Sequence, residues 1–461
     1  MFKKIEIWIL YLTIIISIFL VLGYGVLVRQ GIEGTTSTGN FSIKFLTDPA
    51  VYIARLPERF LKNIGNDQRV NDPWDNQRYF WQNKTAFTGD PLDNETYLLL
   101  SRYEESLGEF IVELIDLRTF KVEHTWNPDI KLINSMVDTS NPEFALLNVD
   151  RTEDRYRIWH PYLNPDGSLI FHGAATPLIK IGYCGELLWQ NQEERFHHAI
   201  EVNSDGDIWV ASHMYPYGSM EKYVGNEVES YLDDAVTKVS QDGKIIYTKS
   251  VSELFIENGL KNRLFNSPPR SDPIHLNDIE EVEEDGEYWK KGDIFLSLRN
   301  QSMILLYRPS TNKILWIGEG PFFAQHDVDI LNDHQISIYN NNFLETNLGW
   351  DTGFADGYNE MIIYDFSTDE FSNYLEEAVA DQEIITANQG LAQILSNGDL
   401  YMEETYYSRA LYFNADGALK WEYVNITPEG NVYPIAWTRI LFEAEDIAMI
   451  KELIRSKTCD N

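Results

Sequence analysis

The sequence predicts an all-β chain, a six-bladed β-propeller carried behind an N-terminal transmembrane helix. Three observations carry this. An uncharged apolar run occupies the N-terminus, short β-type runs separated by turn signals begin near Thr96, and two sequence units recur in alternation about six times.

The apolar run comes first. Ile7 to Val28 holds no charged residue and is dominated by Ile, Leu and Val. About 20 such residues let a helix cross the hydrocarbon core. Lys3 and Lys4 precede it, with Arg29 on the far side, which places the N-terminus in the cytoplasm. The run is too long for the core of a cleaved signal peptide, so it reads as an uncleaved signal anchor. The expectation is a single-pass membrane protein with its main domain periplasmic or extracellular, at a bacterial inner membrane.

Four regions follow: 1–30 as tail and anchor, 31–94 as linker and N-terminal segment, 95–440 as the propeller, and 441–461 as a C-terminal helix and tail. Within the second, Gly34 to Asn40 reads as polar linker and Ala50 to Ile64 as a short amphipathic helix. Helical periodicity returns at Glu443 to Ile454.

The first repeating unit is a turn followed by an alternating strand. It reads Asp166-Gly167-Ser168-Leu169-Ile170-Phe171, then Asp205-Gly206-Asp207-Ile208-Trp209-Val210, and again at Gly292, Asn332 and Gly398. The second unit ends in an aromatic: Trp126, Trp189, Tyr247, Trp316, Tyr374 and Trp421. Four strands per pair of units fit the spacing, and four-stranded sheets arranged radially make a propeller. Tandem β-sandwiches or a solenoid are the other architectures open to such a pattern. The outer-strand aromatics are expected to pack between neighbouring blades.

Composition narrows function. The net charge is -35, with a pI near 4.5, so the surface repels nucleic acid and anionic lipid headgroups. Cys184 and Cys459 are the two cysteines. Export permits a disulfide between them, and free thiols are equally compatible. No CxxC or zinc-like Cys/His spacing is present, and no cofactor is expected.

A propeller binds ligands at one end of its channel, where each innermost strand begins. Of the nine histidines, His198, His275 and His326 stand at that position, with Asn277 beside them and Arg299 at a neighbouring strand end. Arg offers a planar fork of donors to sulfate, phosphate or carboxylate. Neutral imidazole serves as nucleophile or proton shuttle. Three histidines would also suit zinc or copper, although an Arg among them repels a cation.

At these residues the chain resembles the PAPS-independent bacterial arylsulfotransferases, over roughly residues 180 to 440. The resemblance lies in His198-Ala199-Ile200, His275-Leu276-Asn277, Leu296 to Ser302 with Arg299, Lys313 to Gly318, Gln325-His326-Asp327, Tyr339-Asn340-Asn341 and Gln389 to Asp399. It implies a six-bladed propeller and ping-pong sulfuryl transfer from a phenolic sulfate ester to a second phenol or other hydroxyl, with no nucleotide cofactor. By position His326 looks like the sulfurylated histidine. His198, His275, Asn277 and Arg299 look like the groups around the sulfate and the leaving oxygen. Two other readings stay open: an exported propeller that binds a ligand or partner without turnover, and a metal-dependent hydrolase or lyase built on the three histidines.

Overall fold

The structure is a computed structural model that describes residues 7–32, 37–38, 41–42, 86–145, 147, 151–214, 220–225, 231–266, 271–345, 353–355 and 357–459. It divides into two units, 1–75 and 76–461. The expected helix at Ala50 to Ile64 lies outside the described residues.

In the first unit, helix α1 spans Ile7–Ile32, 26 residues. At 1.5 Å per residue it is about 39 Å long. Large apolar side chains stand exposed along it, among them Trp8, Leu12, Ile15, Leu20 and Val26. By the combined measure of length and hydropathy, no helix among the described residues is long and apolar enough to cross a membrane. The expected transmembrane helix is therefore not supported by the structure, and only the uncharged run Ile7 to Val28 within α1 speaks for it. Beyond it, Ser37–Thr38 pairs with Phe41–Ser42.

The second unit is all-β and propeller-like. Its first strands, which begin each run of pairing, are β1 (Trp159–Leu163), β2 (Leu187–Val202), β3 (Leu276–Glu281), β4 (Val328–Ile330), β5 (Leu391–Ile394) and β6 (Arg439–Leu441). Strands β3, β4 and β5 each open a sheet built by sequential antiparallel neighbours. β1 and β2 share one seven-stranded sheet. The first part of β2 pairs with Thr176–Ile181, and its end, from Arg195, pairs with Ile208–His213. β6 pairs with Tyr97–Glu104, so the C-terminal strand completes the N-terminal sheet. Phe87–Gly89, which the sequence reading leaves in the linker, adds a fifth strand beside Leu419–Val424.

Buried polar groups tie each sheet to the next. Asp278 Oδ2 accepts from the Val328 amide (2.9 Å), Asp327 Oδ2 from the Ala392 amide (3.0 Å), and Glu403 from the Trp437 amide (3.0 Å). Ser101 donates to the Ile158 carbonyl (2.5 Å), and His160 accepts from the Ile200 amide (3.1 Å). A buried carboxylate is costly unless hydrogen-bonded, and here the acceptors are matched to strand-start amides that would otherwise be orphaned.

The outer aromatics reach across the same seams. Trp126 donates to the Gly167 carbonyl (3.2 Å) and Trp189 to the Gln241 carbonyl (3.0 Å). Tyr247 meets Tyr307 (3.1 Å), Trp316 stacks on Tyr364 (4.8 Å), and Tyr374 donates to the Gly398 carbonyl (2.5 Å). Trp421 is buried in a cluster with Leu98 and Ile115 of the closing sheet. Each large ring buries area that no single twisted sheet could cover alone.

After β6 the chain forms helix α2, Ala444–Ser456, close to the span expected from sequence. Cys184 and Cys459 form a disulfide, which settles the pairing that composition left open.

Candidate active site

Strand starts position the site. One non-glycine residue with a left-handed backbone stands near the start of β1, β3, β4, β5 and β6 and in the part of β2 that pairs from Arg195: His160 (φ 39°), His275 (54°), Ala324 (53°), Gln389 (66°), Trp437 (47°) and His198 (60°). Each costs roughly 1–3 kcal/mol, so the surrounding fold must hold it in place. Register breaks accompany three of them, between Trp159 and Tyr162, between His197 and Ile200, and between Leu276 and Asp278. Bulges of this kind re-aim side chains out of the sheet's alternation.

The re-aimed rings converge. His198 lies 5.0 Å from His275 and 6.2 Å from His326, between ring centroids. Trp437 packs 5.8 Å from His198 and 6.2 Å from His326, and Trp159 packs 6.0 Å from His198. The two indoles give the cluster apolar walls.

His326 is buried at 1% exposure. Its Nδ1 faces Asn341 Oδ1 (2.7 Å) and the Ala324 carbonyl (3.1 Å). Two acceptors there put the proton on Nδ1. Nε2 accepts from the Gln389 backbone amide (2.8 Å). Burial first, then the Arg299 guanidinium and His275, push its pKa well below the ordinary histidine value. The ring is a neutral base at physiological pH. Burial and the neighbouring histidines 197, 275, 326 and 172 do the same to His198.

His275 pairs through Nδ1 with Asp272 Oδ2 (2.6 Å) and keeps a side chain that is 24% exposed. Arg299 is buried, its backbone amide bonded to the His275 carbonyl (3.0 Å). Its guanidinium donates to Asn300 Oδ1 and Asn388 Oδ1, each at 2.8 Å. Asn388 and Gln389 belong to the loop that Asn341 holds through the Thr386 and Gln389 carbonyls (2.9 and 2.7 Å). Gly390 follows with φ 95°, where a Cβ would meet the Tyr339 ring at 2.7 Å. Only glycine lets that loop come so close.

Asn277 is fully buried, and one N–H of its Nδ2 donates to the Gln325 carbonyl (3.0 Å), which holds the chain leading into His326. The sequence reading missed several groups. Asn341 and Asp272 sat inside quoted segments, but nothing in their spacing marked them as imidazole partners. Trp437 carried no local signal.

The cavity of about 820 Å³ in this unit lies elsewhere. It is lined by His160, Glu201, Glu280, Asp327, Asp329 and Arg439 with residues of α2, and by none of the three clustered histidines. The chemistry gathers at the strand starts, whereas this cavity opens further along the same strands.

A sequence model of the arylsulfotransferase (ASST) family matches residues 160–426, which contain His198, His275, Arg299 and His326. The chain belongs to the arylsulfotransferase family. Membership makes it a sulfotransferase-like protein, and the family's chemistry implies a small-molecule sulfate donor and a phenol acceptor. No curated protein matches this chain. Among solved structures, a Bacteroides caccae protein of unknown function is similar at 10% identity and a TM-score of 0.44, covering 74% of this chain and 98% of that one. Virginiamycin B lyase from Staphylococcus aureus is similar at 12% identity and a TM-score of 0.34, covering 61% and 74%.

Proposed function

We propose that this chain moves a sulfuryl group from an aryl sulfate to a second hydroxyl acceptor through a covalent sulfohistidine, without PAPS. The observation that carries this is the convergence of three imidazoles with Arg299 acting on His326. A neutral nitrogen attacks sulfur, the S–O bond breaks, and the phenolate leaves with a proton from a neighbouring imidazole that enters the step protonated and ends it neutral. The acceptor hydroxyl then attacks the same sulfur, loses its proton to that imidazole, and the N–S bond breaks. Arg299 offsets charge on the sulfuryl oxygens throughout.

His326 is the nucleophile in this reading, and Nε2 is the attacking atom because Nδ1 carries the proton. The Gln389 amide at 2.8 Å must release that lone pair first. Once an N–S bond forms, the freed amide is placed to donate to a sulfuryl oxygen. A second reading makes His275 the nucleophile, because the Asp272 carboxylate holds its ring as a carboxylate orients a catalytic histidine. Incubation with p-nitrophenyl sulfate, followed by mass mapping of the sulfurylated residue, separates the two. Absence of any protein-bound sulfuryl group, with no phenol-dependent transfer, would leave a ligand-binding propeller instead.

The architecture in this reading has six blades, with the seven-stranded sheet counted as two around β2. Six left-handed positions, five aromatic contacts to the next sheet and a sixth, Trp189 to Gln241, between the two halves of the seven-stranded sheet support that count. The protein is anchored by α1, with the catalytic unit in the periplasm or outside the cell. The uncharged run Ile7 to Val28 and the disulfide, which persists in oxidising compartments, support this. Protease access to the catalytic unit in intact spheroplasts tests it; full protection would reject export.

A further inference from the structure

Behind the clustered rings lies a second group of ligating side chains. Strand register places it: His213 is the cross-strand partner of both Asp234 and Arg195, and His197 is two residues on from Arg195. With a side-chain period of two, His197, His213 and Asp234 share one face. One ligand atom from each lies within 4.8 Å of the others. Asp234 Oδ1 stands 3.2 Å from His197 Nε2 and 3.3 Å from His213 Nε2. The His197 and His213 rings stack at 4.1 Å.

Hydrogen bonding does not account for this arrangement. Asp234 is 1% exposed and His197 5%, yet neither Asp234 Oδ1 nor His197 Nε2 has a hydrogen-bond partner. At 3.2 Å the separation would allow a bond, so it is direction that fails: the ring nitrogen does not point at the oxygen. Asp234 Oδ2 accepts from the Leu276 amide (3.3 Å), which fixes the carboxylate and leaves Oδ1 facing the two imidazoles. Ligands about 2.0–2.1 Å from a tetrahedral metal lie about 3.3 Å from each other, which is the spacing of Asp234 Oδ1 to each of the two imidazole nitrogens.

We infer that His197 Nε2, His213 Nε2 and Asp234 Oδ1 form a binding site for a divalent transition metal of the Zn²⁺ type. Two imidazoles and one carboxylate suit such an ion and leave a position open to water. Mg²⁺ prefers oxygen donors and would be a poor occupant.

The site touches the cluster. His197 Nδ1 lies 2.7 Å from His198 Nδ1, so a single proton is shared between them. With Nε2 on a metal, His197 carries its proton on Nδ1 and donates it to His198. His198 must then hold its own proton on Nε2, the tautomer that presents a hydrogen-bond donor, not an acceptor, on that side of the ring. The metal thereby sets the tautomer of a histidine in the sulfuryl site. This last consequence rests on the transfer reading above; the metal site itself does not.

The test uses the full chain purified without chelator. Elemental mass spectrometry is expected to find about one equivalent of zinc or a similar metal per chain. After stripping with EDTA, Zn²⁺ and Co²⁺ are expected to raise Tm, Co²⁺ with the visible bands of a tetrahedral site, while Mg²⁺ is not. His213→Gln and Asp234→Asn are expected to abolish the shift; should the buried Asp234→Asn fail to fold, His213→Gln alone decides. Substoichiometric metal together with Zn²⁺-insensitive melting of the parent chain overturns the site. So does an undiminished shift in His213→Gln. None of these readouts depends on whether sulfuryl transfer is detected.

Discussion

The strand starts and the cavity further along the same strands use titratable groups in opposite ways. At the starts, His198 and His326 are bases kept neutral by burial and by neighbouring positive charge. In and beside the cavity, Asp278, Glu280 and Asp327 are acids whose pKa values are raised well above the ordinary carboxylate range by burial and by each other and Glu201. Asp329 is raised to about 7 by the same causes. One region excludes protons where an anion would bind; the other retains them where carboxyls crowd. Low dielectric drives both shifts, since it penalises whichever form is charged. A few residues along one strand thus separate bases held neutral from acids held protonated.

That contrast can be broken by experiment. The largest effect is expected from His326→Asn, which keeps a donor toward Asn341 Oδ1 and the Ala324 carbonyl but removes the nucleophile. Transfer should fall roughly 10⁴–10⁶-fold, with no sulfohistidine on mass analysis. Near-parental transfer would move the role to His275. Arg299→Ala should slow transfer by about 10²–10³-fold while leaving it measurable. The same variant should move the acid limb of the pH–rate profile to higher pH. In the parent, burial, Arg299 and His275 hold His326 neutral, so its activity should persist below a histidine-like pKa of about 6.5. An unmoved limb in Arg299→Ala would mean that the arginine does not act on His326.

Asn341→Ala should cost about 1–3 kcal/mol in kcat/KM, because it leaves the His326 Nδ1–H only the longer contact to the Ala324 carbonyl and releases the Asn388–Gly390 loop. Unchanged kinetics would remove Asn341 from the site.

The smallest effect should come from Asp329→Asn, on stability and not on turnover. A carboxyl whose folded pKa is raised binds more protons in the native than in the unfolded state between about pH 4 and 7. Its stabilising contribution is complete below pH 4 and is lost as pH rises through 7. Asp329→Asn should therefore raise Tm at pH 8 relative to the parent and leave it level at pH 4. The buried histidines work in the other direction. Their folded pKa values are depressed, so stability falls as pH drops below about 6.5. Because the two trends oppose each other in the parent, the difference between Asp329→Asn and the parent is what decides: a difference that stays the same from pH 4 to 8 would remove the carboxyl half of the comparison.

Much of this was legible in the chain itself. The turn units and terminal aromatics follow from period-two alternation and left-handed turn glycines such as Gly167 and Gly206, which are local properties. The histidines could be singled out because a polar ring ahead of a core strand conflicts with strand burial, and such conflicts mark functional positions. What sequence alone could not supply is anything set by closure of the sheets. Trp437 reaches the cluster because β6 completes the N-terminal sheet, a pairing across more than 300 residues. Asn277 holds the chain ahead of His326 because the Gln325 carbonyl, 48 residues away in sequence, lies against it. His197, His213 and Asp234 come together only through register on three strands. Spacing along a chain decides which side chains share a strand face; the distances between strands, and so the partners of each polar atom, are decided by how the sheets pack.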